Sequence, residues 1–85
     1  MLTAQTLRER ILQHLAEVGV DSLNGIARHL KVPRSNVRDK LLVAESHGHV
    51  RVEKVVERVP TGAVLPVNKI WLTKSGKQWL KANSM

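Results

Sequence analysis

The sequence predicts an α+β chain: a three-helix bundle, then a two-stranded β-hairpin, then a short C-terminal helix. Apolar residues recur at helical spacing as far as about residue 46. After Gly48 the pattern changes to β-branched residues alternating with charged ones. Glycines and a proline stand where these segments meet.

The first helix is expected from roughly Thr3 to Val18. Leu7, Ile11, Leu15 and Val18 fall at i, i+4, i+8 and i+11, with Leu12 beside them, and form one apolar stripe. Thr6-Leu7-Arg8-Glu9 has the form of a capping box, Thr3 is a second candidate cap, and Gly19 suits the helix end. Val20-Asp21-Ser22 is expected to be an extended link in which Asp21 or Ser22 caps the next helix. Leu23, Ile26, Ala27 and Leu30 then give a two-turn helix to Leu30 or Lys31. Gly25 inside it costs about 1 kcal/mol relative to alanine, which implies close packing. Lys31-Val32-Pro33 breaks the chain, because proline excludes the residue before it from the helical region yet suits a helix's first turn. The third helix runs from Pro33 or Arg34 to about Ser46, with Val37, Leu41 and Ala44 as its core stripe and Gly48 closing it.

Val50, Val52, Val55, Val56 and Val59 predict a strand, and the slip of alternation at Lys54-Val55-Val56 predicts a bulge. A loop of about Val59 to Val67 follows, punctuated by Pro60-Thr61-Gly62 and Pro66, and a second strand spans Val67 to Leu72. Thr73 caps a helix from Lys74 to about Lys81. Trp71 is expected in the core under the first helix, with Trp79 beside it. Leu42 and Val43 extend beyond the third helix's core stripe, where either the hairpin covers them, the preferred reading, or they join a subunit interface. Two short helices joined by a tight turn form a helix-turn-helix, and the added hairpin makes the plan that of a winged helix-turn-helix.

At 85 residues the chain is expected to be one domain, residues 1–85. With no cysteine, it has neither disulfides nor thiolate metal sites. The N-terminus has no signal-peptide pattern, and no apolar run approaches the ~18–20 residues of a membrane span. The expected compartment is the cytoplasm. Fourteen Lys and Arg against seven Asp and Glu leave a net charge of +7, which points to a polyanionic partner. The excess lies in two blocks. Residues 28–40 carry Arg28, Lys31, Arg34, Arg38 and Lys40 against Asp39, and residues 69–85 carry Lys69, Lys74, Lys77 and Lys81 with no acid. Residues 41–68 cancel.

Leu23-Asn24-Gly25-Ile26-Ala27-Arg28-His29-Leu30, Arg34-Ser35-Asn36-Val37-Arg38-Asp39-Lys40-Leu41, Gly48-His49-Val50 and Leu72-Thr73-Lys74-Ser75-Gly76 follow one another in an order that resembles small bacterial regulators of the multiple-antibiotic-resistance regulator type. The resemblance implies a winged helix domain, duplex DNA as partner, and a role in a small prokaryotic or phage transcription regulator. The third helix, about residues 33–46, would enter the major groove, with the wing, about residues 50–72, on the adjacent backbone.

On a helical projection Ser35 and Asp39 point directly away from the core stripe, with Arg38 and Asn36 on either flank. Arginine pairs bidentately with guanine and asparagine with adenine, so Arg38 and Asn36 are the candidate base readers. Ser35 is a candidate for base or phosphate. Arg34, Lys40 and Arg28 are candidates for phosphate, and Arg58 and Lys69, at the base of the wing loop, for the minor groove or its phosphates. The apolar loop, with Val59, Ala63, Val64, Leu65 and Val67, raises an alternative: a homodimer or protein contact through the wing, in an adaptor without DNA specificity. Other chemistry is poorly supplied. His47-Gly48-His49 has no third ligand at metal spacing. No phosphate-cradling loop, partnered nucleophile or carboxylate pair supports catalysis. Neither cofactor nor metal is expected. Two aromatics are too few for an RNA-binding sheet platform.

Overall fold

A computed structural model describes residues 5–83. The order is α1 (Leu7–Val18), β1 (Val20–Asp21), α2 (Leu23–Leu30), α3 (Arg34–Ser46), β2 (Val50–Arg58), β3 (Val64–Leu72) and α4 (Lys74–Asn83), with a three-stranded sheet ordered β1-β3-β2. Thr6 caps α1 by accepting the Glu9 N–H at 3.2 Å, so the helix begins at Leu7 and not near Thr3, which lies outside the described residues. Ser22 rather than Asp21 caps α2, accepting the Gly25 N–H at 3.0 Å.

One apolar cluster joins the elements. Ile11, Leu12 and Leu15 of α1 meet Ile26 and Ala27 of α2, Val37, Leu41 and Ala44 of α3, Val50, Ile70 and Leu72 of the sheet, and Leu80 of α4. The expected stripes of α2 and α3 are therefore the buried ones. In α1 the stripe ends early, because Val18 is exposed and His14 is buried in the preceding turn. His14 donates from Nε2 to the Asp21 carboxylate at 2.6 Å, and its ring stacks on His29 at 4.2 Å. A Cβ on Gly25 would lie 2.0 Å from the Asp21 carboxylate oxygen, so the glycine makes room for this pairing.

Four further expectations are corrected. Val20-Asp21 is not merely a link. Gly19, at φ +87°, ends α1 and lets Val20 and Asp21 pair with Trp71 and Ile70. The β2–β3 register runs unbroken from Val50↔Leu72 to Arg58↔Val64, so there is no bulge. Val55 and Val56 simply take opposite faces. The second strand starts at Val64, and the loop is only Val59 to Ala63. Gly62 N–H bonds to the Val59 carbonyl at 2.9 Å and Val59 N–H to that of Ala63 at 3.0 Å, with Gly62 at φ +89°. Pro66 fits within β3 because β1 extends only to the Ile70 pair, which leaves one strand neighbour at Pro66. Finally, Trp71 is not in the core. Its neighbours Ile70 and Leu72 face inward, so Trp71 takes the opposite face, half-buried beside Val20.

Trp79 packs against Arg8 and His49 instead of Trp71. The Arg8 guanidinium lies 4.5 Å from the Trp79 ring centre and donates to His49 Nδ1 at 2.6 Å. Arginine has no acceptor, so Nδ1 accepts and the neutral ring's proton sits on Nε2. Burial first, then the charge of Arg8 and the neighbouring His47, holds the His49 pKa below its ordinary 6.5. Thr73 secures the same corner. Its N–H and hydroxyl bond to the carbonyls of His49 and Gly48, while its oxygen caps α4 at Gly76 N–H, 3.0 Å away.

Candidate nucleic-acid interface

With Val37, Leu41 and Ala44 buried, the other α3 residues divide by their angle of about 100° per residue. Arg34, Arg38, Leu42 and Glu45 fall on the flank toward the hairpin. Ser35, Asp39 and Ser46 form the crest, and Asn36, Lys40 and Val43 the far flank.

The hairpin sorts its charges in the same way. Val50 and Val52 face the body opposite Leu72 and Ile70, and strict alternation carries Lys54, Val56 and Arg58 onto that face. Both acids of β2, Glu53 and Glu57, fall on the reverse face with Arg51. The two basic sets converge. A groove of about 430 Å³ is lined by Arg38, Leu41, Leu42 and Glu45 from α3 and by Val52, Lys54, Asn68 and Ile70 from the hairpin, with Leu23. Arg34 lines a smaller groove next to it, against Asn24, Pro66 and Asn68. Among the described residues no salt bridge engages Arg34, Arg38, Lys54 or Arg58.

The structure thus brings Arg34 and Arg38 to the hairpin side, sets Ser35 on the crest, and leaves Asn36 and Lys40 exposed on the opposite flank. Arg28 is exposed in the last turn of α2. Arg58 and Lys69 do not share the base of a loop. Arg58 pairs with Val64 at the distal end, whereas Lys69 pairs with Glu53 five residues back and lies on the reverse face. Leu42 is 58 % exposed and Val43 is also exposed, so the hairpin does not cover them. Leu42 forms part of the groove floor instead. Lys54 was not among the residues singled out from the sequence. Alternation counted from Val50 and Val52 was the available signal, and the presumed bulge hid it.

No protein-family model matches the chain, and no curated protein matches its sequence. Solved structures do resemble it. A zinc-responsive MarR family member from Lactococcus lactis, ZitR, superposes with a TM-score of 0.73 at 19% identity, over 98% of this chain and 53% of that one. A variant of ZitR has also been solved in complex with DNA, with a TM-score of 0.70 at 19% identity over 99% of this chain and 53% of that one. A transcriptional regulator homologue from Pyrococcus horikoshii gives a TM-score of 0.77 at 21% identity, over 89% and 70%. YusO from Bacillus subtilis gives 0.75 at 17%, over 92% and 51%. The chain spans about half the length of ZitR. The likeness is one of fold, and it shows the winged helix expected from the sequence.

Proposed function

We propose, with the winged helix fold as premise, that the chain is a duplex DNA-binding module of a transcription regulator, with α3 in the major groove and the hairpin on the adjacent backbone. The observation that carries this reading is the sorting of charge. Arg34, Arg38, Lys54 and Arg58 converge on one side of the molecule, while the acids of β2 lie on the other. A surface built for phosphates needs cations that are not already paired within the fold. A ZitR variant, similar to this chain in fold, has been solved in complex with DNA, which supports this reading.

Arg38 and Asn36 are proposed to read bases from the two flanks of α3, with Ser35 between them on the crest. Arg34 and Lys54 contact phosphates on the hairpin side and Lys40 and Arg28 on the other, while Arg58 reaches the minor groove. Lys69, on the reverse face, is left out of this set.

The test is binding of the purified chain to a labelled generic duplex, followed by anisotropy over a salt series. Four phosphate contacts give a log–log slope of about −3.6, so a fourfold rise in salt weakens binding about a hundredfold. Salt-independent binding, or none at low salt, refutes the proposal.

A further inference from the structure

The distal half of the hairpin carries apolar side chains that the fold leaves uncovered. Val56 is 69 % exposed, Val64 53 % and Leu65 50 %, and Pro60 and Ala63 between them are exposed as well. Val56 and Val64 stand on the face toward α3, where Arg58 lies opposite Val64 and Pro66 opposite Val56. From Val59 to Ala63 the only polar side chain is Thr61. The tip is therefore almost without groups that could hydrogen-bond to a base edge. What it offers is an apolar end with one cation beside it.

We propose that this end is a minor-groove wedge: Val56, Pro60 and Val64 press into the minor groove beside Arg58 and bend the duplex where they enter. This rests on the DNA reading above and extends it to the shape of the bound duplex. The minor groove is only ~6 Å wide, too narrow for a two-stranded ribbon whose strands alone are ~4.8 Å apart before side chains are added. Entry of this end therefore opens the groove and bends the duplex away from it. An unpaired arginine suits the negative potential of that groove. The apolar end is continuous with the basic face of Lys54, Arg38 and Arg34, which makes a polyanion the fitting occupant rather than a protein. Pyrimidine–purine steps kink most easily, so the wedge favours duplexes rich in TA steps over stiff A-tracts.

The experiment uses the full chain and two end-labelled duplexes of equal length, one rich in TA steps and one built of A-tracts. Wild-type protein should shorten the end-to-end distance of the TA-rich duplex, read by fluorescence transfer, and prefer it by about tenfold. The double variant Val56→Thr/Val64→Thr keeps β-branching and hence the strands, which a thermal melt verifies. It should bind both duplexes with equal affinity and bend neither. Binding with no bend in the wild type overturns the wedge and leaves the DNA reading standing, as does a bend that survives in the double variant. If the wild type binds straight DNA and the double variant changes only its sedimentation, the tip is a protein contact and the wedge is wrong. Absence of binding to either duplex at low salt removes the DNA reading and the wedge together.

Discussion

Replacing Gly76 with alanine sets two effects of opposite sign against each other. Gly76 lies in the first turn of α4, where alanine is intrinsically the better helix former by up to about 1 kcal/mol. Against that, the new Cβ would stand 1.9 Å from the carbonyl oxygen of His49, when real Cβ contacts essentially never fall below 3.0 Å. The shortfall is about 1.1 Å, and the obstacle is backbone that no side-chain rotation can move aside. Overpacking of this kind costs about 1–3 kcal/mol. The same carbonyl accepts the Thr73 N–H at 3.0 Å, so displacing it also strains a bond with a net value of about 1 kcal/mol. The balance is a destabilisation of about 1–3 kcal/mol, or at least ~4 °C in Tm for a chain of this size. Thermal and urea denaturation followed by circular dichroism at 222 nm, a wavelength chosen for helix, would measure it. An unchanged or raised Tm would show that α4 does not press against the β2 entry as described.

Other perturbations test the interface and the core. Arg38→Ala should cost about 1–3 kcal/mol on a preferred site and much less on random duplex, since only a base contact discriminates; equal losses would make α3 an electrostatic clamp. Lys54→Ala should weaken binding to all sequences and make the salt slope shallower by about one unit, while Lys69→Ala on the reverse face leaves the slope unchanged. The reverse outcome would place the DNA on the wrong side of the hairpin. Ile11→Ala should lower stability by about 2–5 kcal/mol, as expected for a fully buried isoleucine; a loss below about 0.5 kcal/mol would contradict its place in the core. The His49 pKa is lowered in the fold, so on acidification the unfolded chain takes up the proton first. Stability should therefore be full above about pH 6.5 and decline as pH falls below it toward the folded value. Chemical denaturation of wild type and His49→Gln at pH 7 and pH 5, two points bracketing the histidine range, should show a smaller decline in the variant.

The three helices were legible because each buries a stripe at fixed spacing, and Val37, Leu41 and Ala44 identify the inner face of α3 without any structure. What could not be read depended on partners distant in sequence. Val20 and Asp21 become a strand only because Trp71 and Ile70 lie alongside, fifty residues later. Trp71 looked like core by type, but its face follows from the register set by Ile70 and Leu72. The paired valines at 55 and 56 imitated a bulge, whereas the distal hairpin has no buried side to enforce alternation there. Arg8 enters the sequence pattern only within the capping box, and nothing local shows that it reaches His49 after α3 and Trp79 in α4. Of the interface, the α3 cations were visible from composition. Lys54 and the reverse position of Lys69 required the correct strand parity.

The nine-residue strands of the hairpin have a mechanical consequence. Each spans about 30 Å at ~3.3 Å per residue, in a molecule 52 Å long and 20 Å thick. Only the proximal end, at Val50 and Ile70, is seated on buried neighbours. The distal rungs are held by ladder bonds and a tight turn alone, so amide exchange should quicken steadily from Val52 outward while α1 and α3 remain protected. Such an arm gives up backbone freedom when it docks. Part of any contact energy at its end is therefore consumed in stiffening it, and substitutions that pre-stiffen the arm would slow dissociation without adding a single contact.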